Sequence, residues 1–447
     1  MPTLCRMSAL PTPRHSVAGN VLRGSLGNLI EWYDFYTFTI FATYFGAAFF
    51  RADAELDRRL DAFAIFALAF VLRPVGSWLF GRLADRRGRR ISLTLSILLM
   101  AGGSLLITLT PGHEVIGFWS VILLLLARLL QGLSVGGEYG TSSTYLSEIA
   151  PPGRRGFFSS FQYATLIGGQ LAALIVQILL QTLLSEEQLA AWGWRVAFGI
   201  GALGALIVLW LRRGMDETLP AGQRELSRAG GGEPAPGSLR LLARYWRPAL
   251  IVFGLTCGGS LAFYTFTTYT KAALDGAGLI ARPTVSLIMF LALTLCLVLQ
   301  PLFGWLSDRI GRTPLLVFFG VGGILGTWPI LSTLARTDSP ALAFCMLAAA
   351  MVIISGYTSV NAIVKAELFP ASVRALGVGL SYGIANALFG GTATYVGTTF
   401  EKWGHPWGFS AYVIVIIAAS LIVVVCALPH RAPNHLDPGH NAGGTRA

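Results

Sequence analysis

Charge is scarce in this 447-residue chain: Asp, Glu, Lys and Arg together make 12% of it, against 54% hydrophobic residues. A soluble domain needs about a quarter charged residues to face water. Half that share over the whole length, with a mean hydropathy of +0.63, excludes a soluble protein with one or two anchors. Cysteine is also scarce. Cys5, Cys257, Cys296, Cys345 and Cys426 form no C-x-x-C pair and stand beside no histidines, so neither a disulfide framework nor a metal site is indicated. Lysine occurs only at 271, 365 and 402, so arginine carries most of the net charge of +11. Those arginines sit in short clusters between apolar stretches, such as Arg82, Arg86, Arg87, Arg89 and Arg90. No long basic face forms, which argues against nucleic acid as a partner. Catalytic signatures are missing as well: no G-x-x-x-x-G-K, G-x-S-x-G or H-E-x-x-H, and no clustered histidines. An enzyme is not expected, nor a cofactor, nor ATP as the energy source. The polar N-terminus, through roughly Asn20, lacks a signal peptide with a cleavage site.

What the chain does have is apolar length. A spanning helix needs about 20 apolar residues to cross a hydrocarbon core about 30 Å thick. That rule gives twelve segments. The first six are Val21–Phe50, Ala62–Arg82, Ile91–Thr110, Phe118–Leu146, Gly156–Thr182 and Trp194–Trp210. The rest are Pro248–Ala273, Thr284–Leu306, Pro314–Leu334, Pro340–Val364, Ala375–Phe400 and Trp407–Leu428. The loops after even-numbered segments hold Arg86 to Arg90, Arg154 with Arg155, Arg212 to Arg247, Arg309 with Arg312, and Arg374. Opposite loops lean acidic, although Arg51, Arg58 and Arg59 are exceptions. By the positive-inside rule both termini lie in the cytoplasm. The expected class is an all-α membrane protein of the bacterial inner membrane. Its expected domains are a tail over 1–20, a six-helix bundle over 21–213, a polar linker over 214–245, a second bundle over 246–428 and a tail over 429–447. The Gly/Pro-rich run Ala229–Gly237 makes that linker read as flexible.

The two halves repeat each other. Gly81–Arg90 reads GRLADRRGRR and Gly304–Thr313 reads GWLSDRIGRT, each after the second helix of its half. Glu148–Gly156 (EIAPPGRRG) and Glu367–Ala375 (ELFPASVRA) repeat after the fourth. Duplicated halves suit a carrier that rocks around a midplane site. No filter-like loop suggests a channel.

These loops and halves resemble the major facilitator superfamily. Within it, GNLIEWYDFY (Gly27–Tyr36), RLLQGLSVGGEYGTSSTYLSE (Arg128–Glu148) and KAELFPASVRALGVGLSY (Lys365–Tyr382) resemble the metabolite:proton symporter family. FQYATLIGGQ (Phe161–Gln170), WGWR (Trp192–Arg195), WLRRGMDET (Trp210–Thr218) and FYTFTTY (Phe263–Tyr269) look like its α-ketoglutarate permease branch. The resemblance implies a twelve-helix fold in two pseudo-symmetric bundles. It also implies uptake of a small dicarboxylate with a proton, by a protein expected to act as a monomer. Citrate-like acids, shikimate-like acids and zwitterionic osmolytes are the alternative cargoes. The short tail, with Pro429, Pro433 and Pro438, cannot form the coiled coil of an osmosensor. A non-transporting receptor is not expected, because these 447 residues hold no large cytosolic domain. By the same resemblance, Gly81, Asp85, Arg89, Glu148 and Arg155 form an inner latch that Asp308, Arg312, Glu367 and Arg374 repeat. Asp85 could accept bonds from the free N–H groups of a helix start.

Ionisable groups inside a span cost a few kcal/mol each and are usually functional. Asp34 on the first helix and Arg128 on the fourth are expected to couple the proton. A static ion pair is the alternative. Glu31, three residues from Asp34 on roughly the same face, competes for the role or merely packs helices. Arg73 is the expected carboxylate ligand, because a guanidinium fork matches a carboxylate, with Arg128 contributing. Arg195 reads equally as a ligand or an interface anchor, and Lys365 as a gate or surface residue. Tyr33, Tyr36, Gln162, Tyr163, Gln170, Tyr264, Tyr269, Tyr357, Asn361, Tyr382 and Asn386 either face a cavity or join helices.

Overall fold

The computed structural model describes residues 17–49, 55–212, 236–428 and 435–436. Among these residues every regular element is a helix. Twelve segments cross the bundle. In the first half, α1 is Val17–Phe49, α2 joins Glu55–Val71 to Arg73–Arg87, and α3 is Arg89–Leu109. Then come α4 (Trp119–Ile149), α5 (Arg155–Leu183) and α6 (Glu186–Arg212). The second half holds α7 (Trp246–Ala277), α8 (Arg282–Ile310), α9 (Thr313–Leu334) and α10 (Pro340–Glu367). It ends with α11 (374–402) and α12 (Pro406–Cys426). Ten of the twelve are long and apolar enough to cross a membrane by length and composition.

Helix edges differ from the apolar segments by a few residues, because helices continue past the hydrocarbon. The largest differences are at α6, which begins at Glu186 rather than Trp194, and at α2, which begins at Glu55 rather than Ala62. The halves meet along two helix pairs, α2 with α11 and α5 with α8. A shift by six helices maps one pair onto the other, as a duplicated bundle requires. Outward faces carry large apolar side chains such as Leu203, Leu206, Ile207, Val415 and Ile422, all more than half exposed. Those faces suit lipid.

Three local features shape the centre. Pro74 follows Arg73 and cannot donate to the Phe70 carbonyl, so α2 breaks at Leu72. The break sets Arg73 at the start of a fresh helix. Gly136 of α4 packs there: a Cβ would lie 2.7 Å from Arg73 Cα, so no larger residue fits. In α11 a wide turn spans Asn386–Gly390, where the Gly391 N–H donates to the Asn386 carbonyl at 2.8 Å. Such turns recur at functional sites.

The linker expected over 214–245 falls into two parts. Residues 213–235 lie outside the described residues, as do 1–16, 50–54, 429–434 and 437–447. The flexible reading is corrected from 236 onward. Ser238 caps a short helix, Leu239–Ala243. The Gly237 N–H donates to Ser372 at 2.9 Å, and Arg86 Nε to Pro236 at 3.0 Å. This stretch is pinned to the basic end of the bundle.

Candidate functional site

At the basic end two aspartates hold the halves together. Asp85 of α2 accepts the Leu376 N–H at 3.0 Å and the Ala375 N–H at 3.3 Å, at the start of α11. Asp308 of α8 accepts the Gly156 and Phe157 N–H groups at 2.8 and 2.9 Å, at the start of α5. A carboxylate there meets the orphan donors and the positive end of the helix dipole. Arginines flank both contacts. Arg89 bonds Asp85 at 2.5 Å and Glu148 at 3.2 Å, and Arg374 reaches Glu148 across the halves at 2.9 Å. In the repeat, Arg312 bonds Asp308 at 2.9 Å and lies 3.7 Å from Glu367. Gly81 is needed because a Cβ would sit 2.9 Å from Leu376 Cα. Arg155 opens α5 and is buried beside this contact. The latch residues gather as a set.

Between the halves lies a core of rings around two cations, Arg73 and Lys365, that have no ion pair among the described residues. Arg73 is 0% exposed, and none of its three guanidinium nitrogens has a hydrogen-bond partner among the described residues. Its guanidinium carbon stands 3.6 Å from the Phe70 ring centre, 4.5 Å from Phe35 and 5.4 Å from Trp32. Cation–π contact offsets part of the burial cost, but it leaves all the planar donors free. Lys365 of α10 is also buried. Its Nζ is 3.4 Å from the Tyr139 and Tyr357 hydroxyls and 4.6 Å from the Tyr382 ring centre. Tyr139 and Tyr382 stack across the halves with centroids 3.4 Å apart, and Tyr36 faces Tyr264 at 6.5 Å. Tyr163 packs on Phe263 at 5.7 Å. The Asn386 amide has neither of its polar atoms bonded among the described residues, and the same holds for Gln170 Oε1, Asn361 Oδ1 and the Tyr36 hydroxyl. Asn361 does donate to Tyr139 at 2.5 Å.

Inside the first half a second polar cluster forms. Asp34 and Arg128 make no direct ion pair there. Gln131 stands between them, donating to Asp34 at 3.0 Å and accepting from Arg128 at 2.6 Å. Ser104 also donates to Asp34. The direct contact of the static-pair alternative is therefore replaced by a bridge through an amide. Glu31 accepts from Ser134 at 3.2 Å, and Glu138 pairs with Arg212 at 2.9 Å.

Other expected residues are used elsewhere. Tyr33 donates to the Ala197 carbonyl at 2.7 Å and Gln162 bonds Ser142 and Asn28, so both join helices of the first half. Arg195 donates to Ala191 and Thr110 at 3.0 and 3.1 Å and lies over Trp194, which fits an anchor. Tyr269 lines a separate 740 Å³ cavity between the ends of α7, α9 and α12. Two basic residues move inward. Lys365 is no surface residue, and Arg212, assigned to a loop, is 1% exposed. The signal for Lys365 was available: no acid stands one turn away from it in an apolar helix. Gln131 and Tyr139 were missed, because uncharged groups give no warning.

Comparison with known proteins decides the family. The Sugar (and other) transporter family matches residues 21–229 and the Major Facilitator Superfamily matches 276–446. The alpha-ketoglutarate permease of Escherichia coli is 48% identical over 90% of this chain and 92% of its own. This chain belongs to the major facilitator superfamily. Within it, the chain belongs to the metabolite:proton symporters, and it is a transporter and not an enzyme. The citrate-proton symporter of Klebsiella pneumoniae is 31% identical, covering 93% of this chain and 92% of that one. The proline/betaine transporter of E. coli is 30% identical over 91% and 82%. Among solved structures, the proton:xylose symporter XylE bound to 6-bromo-6-deoxy-D-glucose superposes with a TM-score of 0.74 at 19% identity, covering 94% and 98%. Its partially occluded inward-open form from E. coli gives 0.71 at 19% identity, covering 92% and 96%. This superfamily transporter thus has the twelve-helix fold in two bundles.

Proposed function

We propose that this superfamily member imports a small dicarboxylate, α-ketoglutarate, together with a proton by alternating access. The carrying observation is Arg73: fully buried, without a hydrogen-bond partner among the described residues, and set on first-half rings near Tyr382 of the second half. A buried charge without a partner is expensive, and an anion would supply the missing bonds. Lys365 offers a second cation from the other half, with Tyr382 beside both. A dicarboxylate bridging Arg73 and Lys365 draws the halves together, which is how binding would drive closure. The 48% identical alpha-ketoglutarate permease supports this cargo. Citrate is the second reading, favoured by the citrate-proton symporter among the relatives.

Asp34 carries the proton in this reading, and Arg128 senses it through Gln131. Tyr36, Tyr163, Gln170, Tyr264, Tyr357, Asn361, Tyr382 and Asn386 line the path of the substrate. The basic end is cytoplasmic, and its latch favours the outward-facing state. The bundles run over 21–213 and 246–428, both termini are cytoplasmic, and the monomer works in the inner membrane. The proton gradient is the energy source, with no cofactor.

The test is uptake of radiolabelled α-ketoglutarate into vesicles under an inward proton gradient, with and without a protonophore. Accumulation that the protonophore abolishes and other dicarboxylates compete supports the reading. No uptake by folded protein would overturn the cargo and direct the assay to citrate, shikimate and betaine.

A further inference from the structure

The first-half bundle contains a descending series of carboxylates that the substrate core does not use. Asp34 sits uppermost, held by Ser104 and Gln131 between α1, α3 and α4. Glu31 lies about one turn toward the basic end of α1. It is 1% exposed, and its Oε2 has no hydrogen-bond partner among the described residues. Ser134 donates to Glu31 at 3.2 Å and to the Ser96 carbonyl at 2.6 Å. The Ser96 hydroxyl lies between two acids: it donates to Glu138 at 3.0 Å and borders Glu31. Glu138 in turn pairs with Arg212 at 2.9 Å, and Arg212 also donates to the Leu93 carbonyl. Gly27 makes room for this arginine, because a side chain there would meet the guanidinium. Arg212 is the last residue of α6 and so stands at the basic end.

One buried acid could be a packing accident. Three at successive levels, with the Ser96 hydroxyl between Glu31 and Glu138 and enclosed by α1, α3, α4 and α6, cost too much to be incidental. The levels match along the helices: Ser104 and Ser96 on α3 lie about two turns apart, and Gln131, Ser134 and Glu138 on α4 follow at about one turn each. Among the described residues, the charged and titratable groups facing the series are Arg128 and Tyr33 beside Asp34, and Arg212 beside Glu31 and Glu138.

We propose that Glu31 and Glu138 relay the proton from Asp34 to the basic end, inside the first half and apart from the substrate. Protonated Asp34 gives its proton to a water entering between the two acids, and that water passes a proton to Glu31, so one O–H breaks and one forms at each hand-over. Glu31 then passes the proton through the Ser96 hydroxyl to Glu138. Glu138 releases it to water at the basic end, and Arg212 draws Glu138 back to the carboxylate form. Each step breaks one O–H bond and forms another, with no change of oxidation state. Arg212 acts as a positioning residue. The route keeps proton release apart from the substrate path, and coupling requires that it meet water at the basic end only after the latch between Asp85 and α11 has parted. The proposal rests on proton-coupled transport as its frame.

The test uses the full chain in proteoliposomes and two assays. Exchange of labelled for unlabelled α-ketoglutarate needs no net proton movement, whereas accumulation under an imposed proton gradient does. Glu31→Gln and Glu138→Gln should each cut gradient-driven accumulation at least tenfold while exchange stays within about twofold. Accumulation equal to the parent in either variant overturns the relay. Where a variant loses both activities, Ser96→Ala decides, since it leaves every charge in place. Lowered accumulation with intact exchange supports the relay, and parent-like accumulation overturns it. Failure of the parent to exchange α-ketoglutarate is a failure of the cargo reading, and the same split is then read with citrate or betaine.

Discussion

The carboxylate of Asp85 accepts the backbone N–H of Leu376 at 3.0 Å, although the two residues are 291 positions apart in opposite halves. An aspartate thus serves as a helix cap for the other bundle, and Asp308 returns the arrangement on α5. Opening the basic end must break both caps. Asp85→Asn keeps the shape and removes the charge, a loss of about 1–2 kcal/mol at this buried helix start. The closed form should fall about tenfold relative to the open form. A cysteine placed at buried Ser143, with native cysteines replaced, should react at least fivefold faster with a hydrophilic maleimide.

Asp34→Asn should separate coupling from transport. The amide keeps a bond to Ser104 or Gln131 but cannot take up the proton. Exchange of unlabelled for labelled substrate should continue, and accumulation under a gradient should vanish. Gln131→Leu should produce a weaker defect of the same kind, because it cuts the amide bridge to Arg128. Equal accumulation in Gln131→Leu and parent would remove the bridge from the mechanism.

The core cations predict the cargo's shape. Arg73→Lys retains charge but loses the planar fork, and substrate affinity should drop about tenfold, with Arg73→Ala lower still. A truncated buried charge contact costs 2–5 kcal/mol. Lys365→Met should weaken a dicarboxylate far more than a monocarboxylate keto acid in competition assays. Equal losses for both would place Lys365 outside the ligand shell.

A glycine guards the proton site. Oδ1 of Asp34, without a hydrogen-bond partner among the described residues, points at Gly201 of α6, where an added Cβ would collide with it. Gly201→Ala must turn the carboxylate away from Ser104 and Gln131. Gradient-driven uptake should fall severalfold at normal expression, and Gly199→Ala, which meets only an ordinary contact at 4.0 Å, should be silent.

Arg212→Met should lower the melting temperature of purified protein, because Glu138 would remain buried without its partner. Breaking one side of a buried pair costs about 3–5 kcal/mol. Arg212→Met combined with Glu138→Leu should recover most of that loss. No recovery would mean that Arg212 stabilises the fold through the Leu93 carbonyl alone.

Hydropathy and repetition made the architecture readable. Apolar length gives the helices because backbone groups in lipid must bond within their own segment. The G-x-x-x-D-R-x-G-R repeats carry the latch, since a turn glycine and a capping carboxylate leave a fixed spacing. Arg73 was legible because an arginine in an apolar helix announces its cost. Three positions resisted. Lys365 looked like a loop residue beside Glu367, and Arg212 like part of a basic loop, because helix ends are not fixed by composition. Tyr33 could not be told from Tyr36, three residues on, because a small rotation of the helix decides which ring faces the partner half.

The sequence by itself determined the solvent, the number of crossings, the duplication and the presence of costly charges, since each depends on residue type and local spacing. Only the tertiary structure decided which charges pair. Glu138 finds Arg212 from 74 residues away, while Arg73 finds no hydrogen-bond partner among the described residues. That difference depends on how α2, α4 and α6 are rotated and packed, and helix phase at that precision is set by the neighbouring backbones rather than by the segment's own residues.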